Sequence, residues 1–496
     1  MSWRRLWTRR LLTLLTLGWV LWMLWLIFDD DQPFTLFVLD ENGLGIGDVT
    51  VLYDGEVEKV TDLDGSAVLQ WAPDGRRYVL ISPGHLQKTV TVAGPPQDSM
   101  FVHLRPRTLR GRVTDVNQVP VEGALVSAGQ VSTYTDSDGQ FLLERVEEGE
   151  VAVSRPAWIP TSYQWDGGPG DAELTIQPLV VRAAHVSGDV AGDRLKWDAM
   201  IRLVQDSELN GVMLDIKDET GQVFYDSQVE MVRQVRAVNP QYDLAGLADQ
   251  LERLDIYLIG RIVAFQDPIA SVRVPTIAVW DSYLGQPYRQ GHQYFLDPTD
   301  SQARAYALEL AVEACGMGVD EIQFDYIRFP DSRRPSATFD GPIDPDSRVA
   351  TINSFLEEAR ALLWPMGCAV AADIFGFLTT VADDGGIGQQ WEKITEVLDV
   401  VSPMLYPSHY DNGWYGFDRP NDHPGGVVKS ALEDAVARMH IGVVIRPWLQ
   451  DFGHRDDQVR SSINAAEEFN LGWMLWNPVS EVSVGALKSP ADPSGG

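Results

Sequence analysis

Cysteine is scarce in this chain of 496 residues, which has only Cys315 and Cys368. Two cysteines exclude the disulfide framework of a small secreted scaffold. We expect two buried free thiols, with a single bridge between them left open. Basic residues are also few, at 39 Lys and Arg against 71 Asp and Glu, which gives a formal charge of −32. A chain this acidic is not expected to bind nucleic acid or an anionic membrane surface through its net field.

Several catalytic motifs are missing as well. No glycine-rich phosphate loop follows a strand-like segment, which argues against nucleotide binding. The histidines of the C-terminal part are dispersed, with no His-x-His or His-Glu-x-x-His pair to suggest zinc. No Gly-x-Ser-x-Gly elbow indicates a serine hydrolase. We therefore predict neither a metal nor a cofactor.

An uncharged apolar run occupies residues 11–28, preceded by four arginines and followed by three aspartates. It is long enough to cross a bilayer and longer than a typical signal-peptide core. The arginines favour a cytoplasmic N-terminus. These features predict a basic tail and an uncleaved signal anchor over residues 1–31, an N-terminal transmembrane helix in the lipid bilayer. Everything after it would then lie outside the cytoplasm. A cleaved signal peptide is the alternative.

Short strands and recurrent turns predict two small all-β sandwich modules, at residues 32–105 and 106–178. The two share a repeat, since Thr61-Asp-Leu-Asp-Gly65 matches Thr135-Asp-Ser-Asp-Gly139. In each copy the Asp-x-Asp-Gly piece predicts a hairpin turn, with Asp bonded to the local backbone and Gly at positive φ. A calcium site is the alternative, although a full calcium loop needs more oxygen ligands.

The second module carries Gly111-Arg-Val-Thr-Asp-Val-Asn-Gln-Val-Pro-Val-Glu-Gly-Ala-Leu-Val126 and then Thr135-Asp-Ser-Asp-Gly-Gln-Phe141. This pattern resembles the carboxypeptidase-regulatory-like β-sandwich, and the first module resembles it more weakly. The resemblance implies a role in spacing, stability or surface attachment rather than in catalysis.

After residue 178 strand-like segments alternate with helix-like ones. The leucines at positions 244, 247, 251 and 254, for example, make one apolar stripe on a helix. Eight such strands over residues 179–487 predict an α/β TIM (β/α)8 barrel that is complete without the β modules, followed by a disordered tail at 488–496. An open doubly wound sheet is the alternative. The strand candidates are residues 181–187, 211–218, 256–265, 321–330, 367–375, 397–406, 442–448 and 472–476.

The fourth strand is the centre of this pattern. Alternation of side chains places Gln323 and Asp325 on one face, with Asp325 near the carboxyl end, where such barrels build their active sites. A structural Asp325 paired with Arg328 is the alternative. Other polar and aromatic side chains also fall at strand ends and are predicted to bind substrate: Asp215, Lys217, Asp218, Arg261, Arg328, Tyr406, His409, Arg446, Trp448, Trp476 and Asn477.

Acid pairs combined with aromatic side chains suit sugar chemistry. Glycosidic cleavage uses one carboxylic acid to protonate the leaving oxygen and one carboxylate as nucleophile or base. Aromatic faces pack on the C–H faces of sugar rings, and cationic side chains bond hydroxyl groups. A carbohydrate is therefore the expected partner.

Four motifs then carry a family resemblance: Gly211-Val-Met-Leu-Asp-Ile-Lys-Asp-Glu-Thr-Gly221, Ile259-Gly-Arg-Ile-Val-Ala-Phe-Gln-Asp267, Asp320-Glu-Ile-Gln-Phe-Asp-Tyr-Ile-Arg-Phe-Pro330 and Ala371-Ala-Asp-Ile-Phe-Gly376. Together they resemble a glycosyl-hydrolase barrel family once classed as a domain of unknown function and similar in outline to α-amylase-type barrels.

By this resemblance the nucleophile ends strand four, at Asp325, and the acid ends strand five, at Asp373. Amylase-type barrels usually have Glu at the second position, so Asp215 or Asp218 could serve as the acid instead. The resemblance implies a glycoside hydrolase that acts on a poly- or oligosaccharide. A non-catalytic carbohydrate-binding barrel and a metal-dependent polysaccharide deacylase are the alternatives.

Overall fold

The computed structural model describes residue 19 and residues 32–71, 75–93, 99–168, 171–331 and 333–490. The chain divides into two compact units. One comprises Met1–Ser154 with Pro160–Ile176, and the other comprises Arg155–Ile159 with Gln177–Gly496. The finer domain boundaries given above stay a prediction.

The first part of the smaller unit is a sandwich of two sheets. Alternate side chains of its first strand, Phe34, Leu36 and Val38, are buried in the core between the sheets. One sheet has the order Ser66–Trp71, Gln32–Leu39, Ser99–His103, and the other has the order Glu56–Val60, Thr50–Tyr53, Arg76–Ile81, Lys88–Val92.

A second sandwich follows in the same unit. One sheet has the order Val131–Tyr134, Leu125–Ala128, Gly149–Ser154, Thr161–Trp165, and the other has the order Gln140–Glu144, Thr108–Thr114, Asp171–Thr175. The pairing is mostly antiparallel, as predicted, but the first and last strands of each sandwich pair in parallel. Those two strands lie side by side because the chain between them crosses to the opposite sheet.

The internal repeat is confirmed at the level of hydrogen bonds. The Thr61 hydroxyl accepts from Val49 N and donates to Ile46 O, and Thr135 makes the equivalent bonds to Ala124 N and Val121 O. The Asp-x-Asp-Gly segments are turns with Gly at positive φ, as predicted. They are not hairpins, however, because each joins a strand of one sheet to a strand of the other.

The larger unit contains a closed barrel of eight parallel strands. We number them β1 (Arg182–Val186), β2 (Gly211–Lys217), β3 (Tyr257–Val263), β4 (Glu321–Asp325), β5 (Ala369–Phe375), β6 (Val400–Leu405), β7 in two segments (Val444–Ile445 and Trp448–Gln450) and β8 (Trp473–Trp476). The predicted strand order is confirmed, and pairing of β8 with β1 and of β5 with β6 closes the sheet. The alternative of an open sheet is therefore wrong.

Helices cover the outside of the barrel and bury their apolar faces against it. Side-chain oxygens cap several N-termini, as Asp300 does for the helix that begins at Ser301. The α-helices are Gly188–Gly192, Arg194–Gln205, Glu230–Gln234, Leu244–Arg253, Pro268–Arg273, Ser301–Gly316, Pro345–Leu363, Trp391–Ile394, Pro424–Arg438 and Asp456–Glu467. Short 3-10 turns are Pro275–Ile277, Trp364–Met366, Gly376–Thr379, Pro407–His409, Trp414–Gly416, Pro420–Asp422 and Val484–Ala486.

Insertions between β3 and β4 and after β4 add small antiparallel pieces. They are Trp280–Asp281, Gln286–Pro287 and Ala337–Thr338 in one sheet and Arg289–Gln290 with Gln293–Tyr294 in another.

The amino end of the barrel is closed by a segment from an earlier part of the chain, Arg155–Ile159. Ala157 packs against Ala369, Ala371, Val400 and Val444 in one buried cluster. Trp158–Ile159 pairs with Gln177–Pro178, and the Arg155 guanidinium donates to Gly442 O at 2.6 Å. A barrel that is complete from residue 179 onward was predicted, and this segment corrects that prediction.

The two cysteines form a disulfide between the end of the Ser301–Gly316 helix and the residue before β5, with the Cα atoms of Cys315 and Cys368 6.0 Å apart. The expectation of two free thiols is therefore wrong, and the single bridge left open is present.

The predicted N-terminal transmembrane helix needs a correction. Crossing a bilayer takes about 20 consecutive apolar residues in a helix, and no helix among the described residues is long and apolar enough. The apolar run at 11–28 on which the prediction rested lies, apart from Trp19, outside the described residues. The structure therefore does not support the membrane anchor, the bilayer as a partner, or the location outside the cytoplasm that was deduced from the anchor.

Candidate active site

A cavity of about 520 Å³ opens at the carboxyl ends of the barrel strands. Eight of the sequence-predicted residues line it: Arg261, Asp325, Arg328, Asp373, Tyr406, His409, Trp448 and Trp476. They come from six strands or the loops that follow them, so the fold brings together side chains that are far apart in the sequence.

Asp325, the last residue of β4, is held by the guanidinium of Arg261 from β3. Its Oδ2 accepts from Arg261 Nε at 3.0 Å and from Nη2 at 2.5 Å, while Oδ1 accepts from the backbone N–H of Tyr326 at 2.6 Å. Both guanidinium donors converge on one carboxylate oxygen, Oδ2, and the Tyr326 N–H holds the other. These hydrogen bonds fix the position of the carboxylate at the floor of the cavity.

Arg261 also connects Asp325 to a second carboxylate that lies behind it. Arg261 Nη1 donates to Asp215 Oδ1 at 2.9 Å, and Asp215 Oδ2 lies 2.9 Å from His185 Nε2. Burial raises the pKa of Asp215, but His185 and Arg261 outweigh this effect and bring the pKa down to about 2. Asp215 is therefore an anion that orients Arg261, and it is a poor candidate for the catalytic acid.

Asp373, on β5, has different surroundings. It is only 2% exposed, and its Oδ1 accepts from Trp448 Nε1 at 2.5 Å and also from the Gln323 amide. Burial, followed by the nearby Asp325 charge, raises the pKa of Asp373 well above its ordinary value. Asp373 therefore carries a proton at a pH where an ordinary aspartate has lost it.

The register of the sheet places the two carboxylates side by side. Phe324 pairs with Ala372 across β4 and β5, and the next position on each strand is Asp325 and Asp373. Neighbouring strands lie about 4.8 Å apart.

Aromatic side chains line the cavity beside these acids. The Trp448 and Trp476 rings meet edge to face at 5.4 Å, and Trp476 also stacks on His185 at 4.2 Å and lies under the Arg261 guanidinium. Tyr406 meets His409 edge to face at 5.3 Å. Burial lowers the pKa of His409, which favours its neutral imidazole.

Arg328 lies on another part of the wall and does not pair with Asp325. Its guanidinium lies 5.2 Å from the Tyr326 ring, 5.5 Å from Phe295 and 5.2 Å from Phe375. The alternative of a structural Asp325–Arg328 pair is therefore wrong, because Arg261 occupies the carboxylate. Tyr326 has a φ of 48°, an unfavourable value for a bulky residue that is typical of functional sites.

Five predicted site residues lie away from the cavity. Asp215 acts through Arg261, and Asn477 supports His185, whose Nδ1 lies 2.8 Å from Asn477 O.

Lys217 is buried behind the sheet, 3.0 Å from Asp267 Oδ2, and donates to Val263 O at 2.7 Å. Asp218 accepts hydrogen bonds from Thr220 in its own loop. Arg446 pairs with Glu321 Oε1 at 2.7 Å near the opposite end of the barrel.

Several lining residues were not predicted, and Glu219 is the chief one. It follows β2, its side chain is 48% exposed, and its Oε2 lies 3.4 Å from Arg261 Nη2. Tyr326 follows Asp325 and could have been found from the same strand-end pattern. Gln293, Asp331, Phe375, Phe377, Gln389, Met404 and Tyr410 also line the cavity and lie in loops or at strand ends without a distinctive motif.

Among the described residues, no group of three or more His, Cys, Asp and Glu side chains could hold a metal ion.

A family model described as "Putative glycosyl hydrolase domain" matches residues 183–481, which is more than half of the chain. This range contains all the residues that line the cavity. No curated protein is a significant match to the chain.

Several solved structures are similar to part of this chain. A hypothetical protein from Ruminiclostridium thermocellum ATCC 27405 is 34% identical, covering 38% of this chain and 96% of its own, at a TM-score of 0.35. The glycoside hydrolase domain of PgaB (BpsB) from Bordetella bronchiseptica is 14% identical. The match covers 60% of this chain and 94% of that domain, at a TM-score of 0.46. A class V chitinase from Pseudomonas fluorescens Pf-5 is 14% identical. The match covers 62% of this chain and 98% of the chitinase chain, at a TM-score of 0.39.

Proposed function

Because the chain belongs to the family described as "Putative glycosyl hydrolase domain", we propose that it hydrolyses glycosidic bonds with Asp325 as nucleophile and Asp373 as general acid. The observation that carries this proposal is the contrast between two neighbouring carboxyl groups. Arg261 donates two hydrogen bonds to the Asp325 carboxylate, whereas burial, followed by the nearby Asp325 carboxylate, raises the pKa of Asp373. Two carboxyl groups whose environments differ in this way are typical of an acid and its charged partner.

The reaction proceeds in two displacements. In the first, Asp325 attacks the anomeric carbon and forms a glycosyl ester, while Asp373 gives its proton to the departing glycosidic oxygen. In the second, the ionised Asp373 takes a proton from water, whose oxygen attacks the same carbon and releases Asp325. The products are a shortened glycan with a new reducing end and the leaving-group alcohol.

The position of the two acids favours retention of configuration. Retaining enzymes hold their carboxyl groups about 5–5.5 Å apart, and inverting enzymes about 6.5–9.5 Å apart. Adjacent positions on neighbouring strands match the shorter distance.

Neighbouring side chains support each step. Arg261, itself oriented by Asp215, directs Asp325, and Trp448 with Gln323 directs Asp373. Tyr406 and Trp476 line the cavity beside the acids and offer aromatic faces to a sugar ring. The substrate class that fits this arrangement is a poly- or oligosaccharide.

Release of new reducing ends from a panel of oligosaccharides tests the proposal. We expect turnover by the wild-type protein, a loss of several orders of magnitude in Asp325→Asn and Asp373→Asn, and no loss in Asp255→Asn. Asp255 is a matched control because it is exposed, lies before β3, and has a φ of 55° that Asn tolerates.

The two alternatives give different results in the same assay. A carbohydrate-binding barrel would bind oligosaccharides without producing reducing ends. A metal-dependent deacylase would release acid from an acylated glycan and would lose that activity in the presence of a chelator.

A further inference from the structure

Arg328 is a buried cation on the cavity wall that forms no direct ion pair with any residue that the structure describes. The residue is only 5% exposed, yet it lines the cavity beside Asp325. Its Nη1 donates to Phe329 O at 3.2 Å, and its guanidinium lies against the aromatic rings of Phe295, Tyr326 and Phe375. The charges of Asp331 and Asp325 act on it without forming a direct ion pair. Burial lowers the pKa of Arg328, which reflects the cost of removing this charge from water.

The charge of Arg261, the other arginine that lines the cavity, is compensated by carboxylates. Arg328 differs from it in this respect. Arg261 contacts three carboxylates, those of Asp215, Glu219 and Asp325. Among the described residues, no carboxylate forms an ion pair with Arg328. Asp331 also lines the cavity, but it is exposed and accepts from Gln290 Nε2 at 2.7 Å.

Aromatic rings attract a buried guanidinium through their π faces but accept no conventional hydrogen bond from its N–H groups. They also hold the planar group in one orientation. A guanidinium fixed in this way offers parallel N–H donors that match a carboxylate better than a single hydroxyl group.

We propose that Arg328 forms a subsite for the carboxylate of a uronic acid, so that the substrate is a glycan containing acidic sugars. This inference rests on the proposed glycoside hydrolase function, since it names the class of substrate for the same cavity. The formal charge of the chain, −32, opposes the approach of a densely charged polyanion. The favoured substrate therefore alternates acidic and neutral sugars.

Binding is best measured on the Asp373→Asn protein, because it does not consume the ligand. Asn also resembles the protonated form of Asp373, the form that its raised pKa favours. The probes are an oligosaccharide of alternating glucuronate and neutral sugars, its carboxyl-reduced form, and a sulfated neutral oligosaccharide of the same length. Calorimetric titration of each gives the ratio of dissociation constants.

We expect the uronate oligosaccharide to bind at least 10-fold more tightly than its reduced form, which corresponds to about 1.4 kcal/mol. Adding Arg328→Gln should abolish this preference, and Arg328→Lys should reduce it by removing the second parallel donor. Arg334→Gln is the matched control. Arg334 also lies over a tyrosine ring, that of Tyr288, but it pairs with Asp281 and does not line the cavity.

Equal affinity for the acidic and reduced oligosaccharides would overturn the inference, as would an Arg328→Gln variant that weakens both equally. Tighter binding of the sulfated probe would contradict the choice of a carboxylate. Arg328→Lys keeps the test valid if Arg328→Gln does not fold. If the preference is present but the wild-type protein cleaves none of the probes, the proposed hydrolysis fails and the carboxylate subsite stands.

Discussion

Trp448 donates its indole N–H to Oδ1 of Asp373 at 2.5 Å, across the barrel from β7 to β5. The Gln323 amide donates to the same oxygen. Two N–H donors on Oδ1 leave Oδ2 as the oxygen that carries the proton. The fold thus presents Asp373 as an oriented acid rather than as a freely rotating carboxyl group.

Replacement of Asp373 by Asn should separate substrates by their leaving groups. Without a proton donor, natural oligosaccharides should lose roughly 10²–10⁴-fold in turnover. Aryl glycosides with acidic phenol leaving groups need little protonation and should lose far less. Kinetic constants for both substrate types check this prediction, and an equal loss for both would assign the acid to another residue.

The pH dependence of activity should also report on Asp373. The raised pKa means that the acid form is present below that pKa and is lost as the pH rises through it. Turnover should therefore fall on the alkaline side of the profile. In Asp373→Asn, the residual turnover of activated substrates should lack this alkaline limb, whereas Asp255→Asn should keep it.

Asp215→Asn should weaken the fold through the Arg261 network. The pKa of Asp215 is lowered from 3.8 to about 2 in the folded protein. Its contribution to stability is therefore present above pH 3.8 and is lost as the pH falls through about 2. A shift of this size corresponds to roughly 2 kcal/mol. The free energy of unfolding, measured by urea titration between pH 7 and pH 2, should fall less with acidification in the variant than in Asp255→Asn.

Lys217 should prove structural despite its place near the end of β2. Lys217→Met leaves the buried Asp267 carboxylate without its cation, and breaking such a pair costs roughly 3–5 kcal/mol. We expect a lower Tm with unchanged KM for the folded fraction. Lys393→Met, which removes an exposed lysine paired with Glu396, should leave the Tm nearly unchanged. A stable Lys217→Met protein with a raised KM would instead place Lys217 in substrate binding.

The Arg155–Ile159 segment should be needed for a stable barrel. A protein that starts at residue 179 loses the packing of Ala157 and the Arg155 bond to Gly442. Its Tm should fall by several degrees relative to the full chain. Ala157→Asp should have a similar effect because it buries a charge, and Ala382→Asp, at an exposed position, should not. An undiminished Tm in the shortened protein would mean that the closing segment contributes little.

The sequence alone was enough to predict the barrel and many of the side chains that line its cavity. Buried strands such as β4 and β5 show clear apolar patterns. An Asp near the carboxyl end of such a strand is expected to lie at the carboxyl face of the barrel. Asp325, Asp373, Trp448 and Trp476 therefore meet in the cavity as expected. Their partners were harder to predict, because the choice between Arg261 and Arg328 for Asp325 depends on side-chain direction.

Local irregularities account for the residues that were misplaced. The pairing of β2 with β3 shifts between Asp215 and Lys217, so Lys217 leaves the face that alternation would give it. Strand β7 is interrupted, and Arg446 lies between its two segments, close to Glu321. Glu219 and the Arg155–Ile159 segment lie in connections, where no periodic pattern indicates position.

Asp325→Asn should abolish turnover by several orders of magnitude if Asp325 is the nucleophile. It should also lower the Tm, because Arg261 loses one of its buried partners. Melting curves therefore do not separate the nucleophile from a purely structural aspartate. Chemical trapping of the glycosyl-enzyme does.

The most direct measurement is peptide mass spectrometry of the wild-type protein after reaction with activated 2-deoxy-2-fluoro glycosides, which form the glycosyl ester faster than it hydrolyses. Our account predicts one fluoroglycosyl group attached to the peptide that contains Asp325, and no adduct on the Asp325→Asn protein. An adduct on Glu219 or on any other carboxylate, or turnover with inverted configuration and no adduct at all, would contradict it.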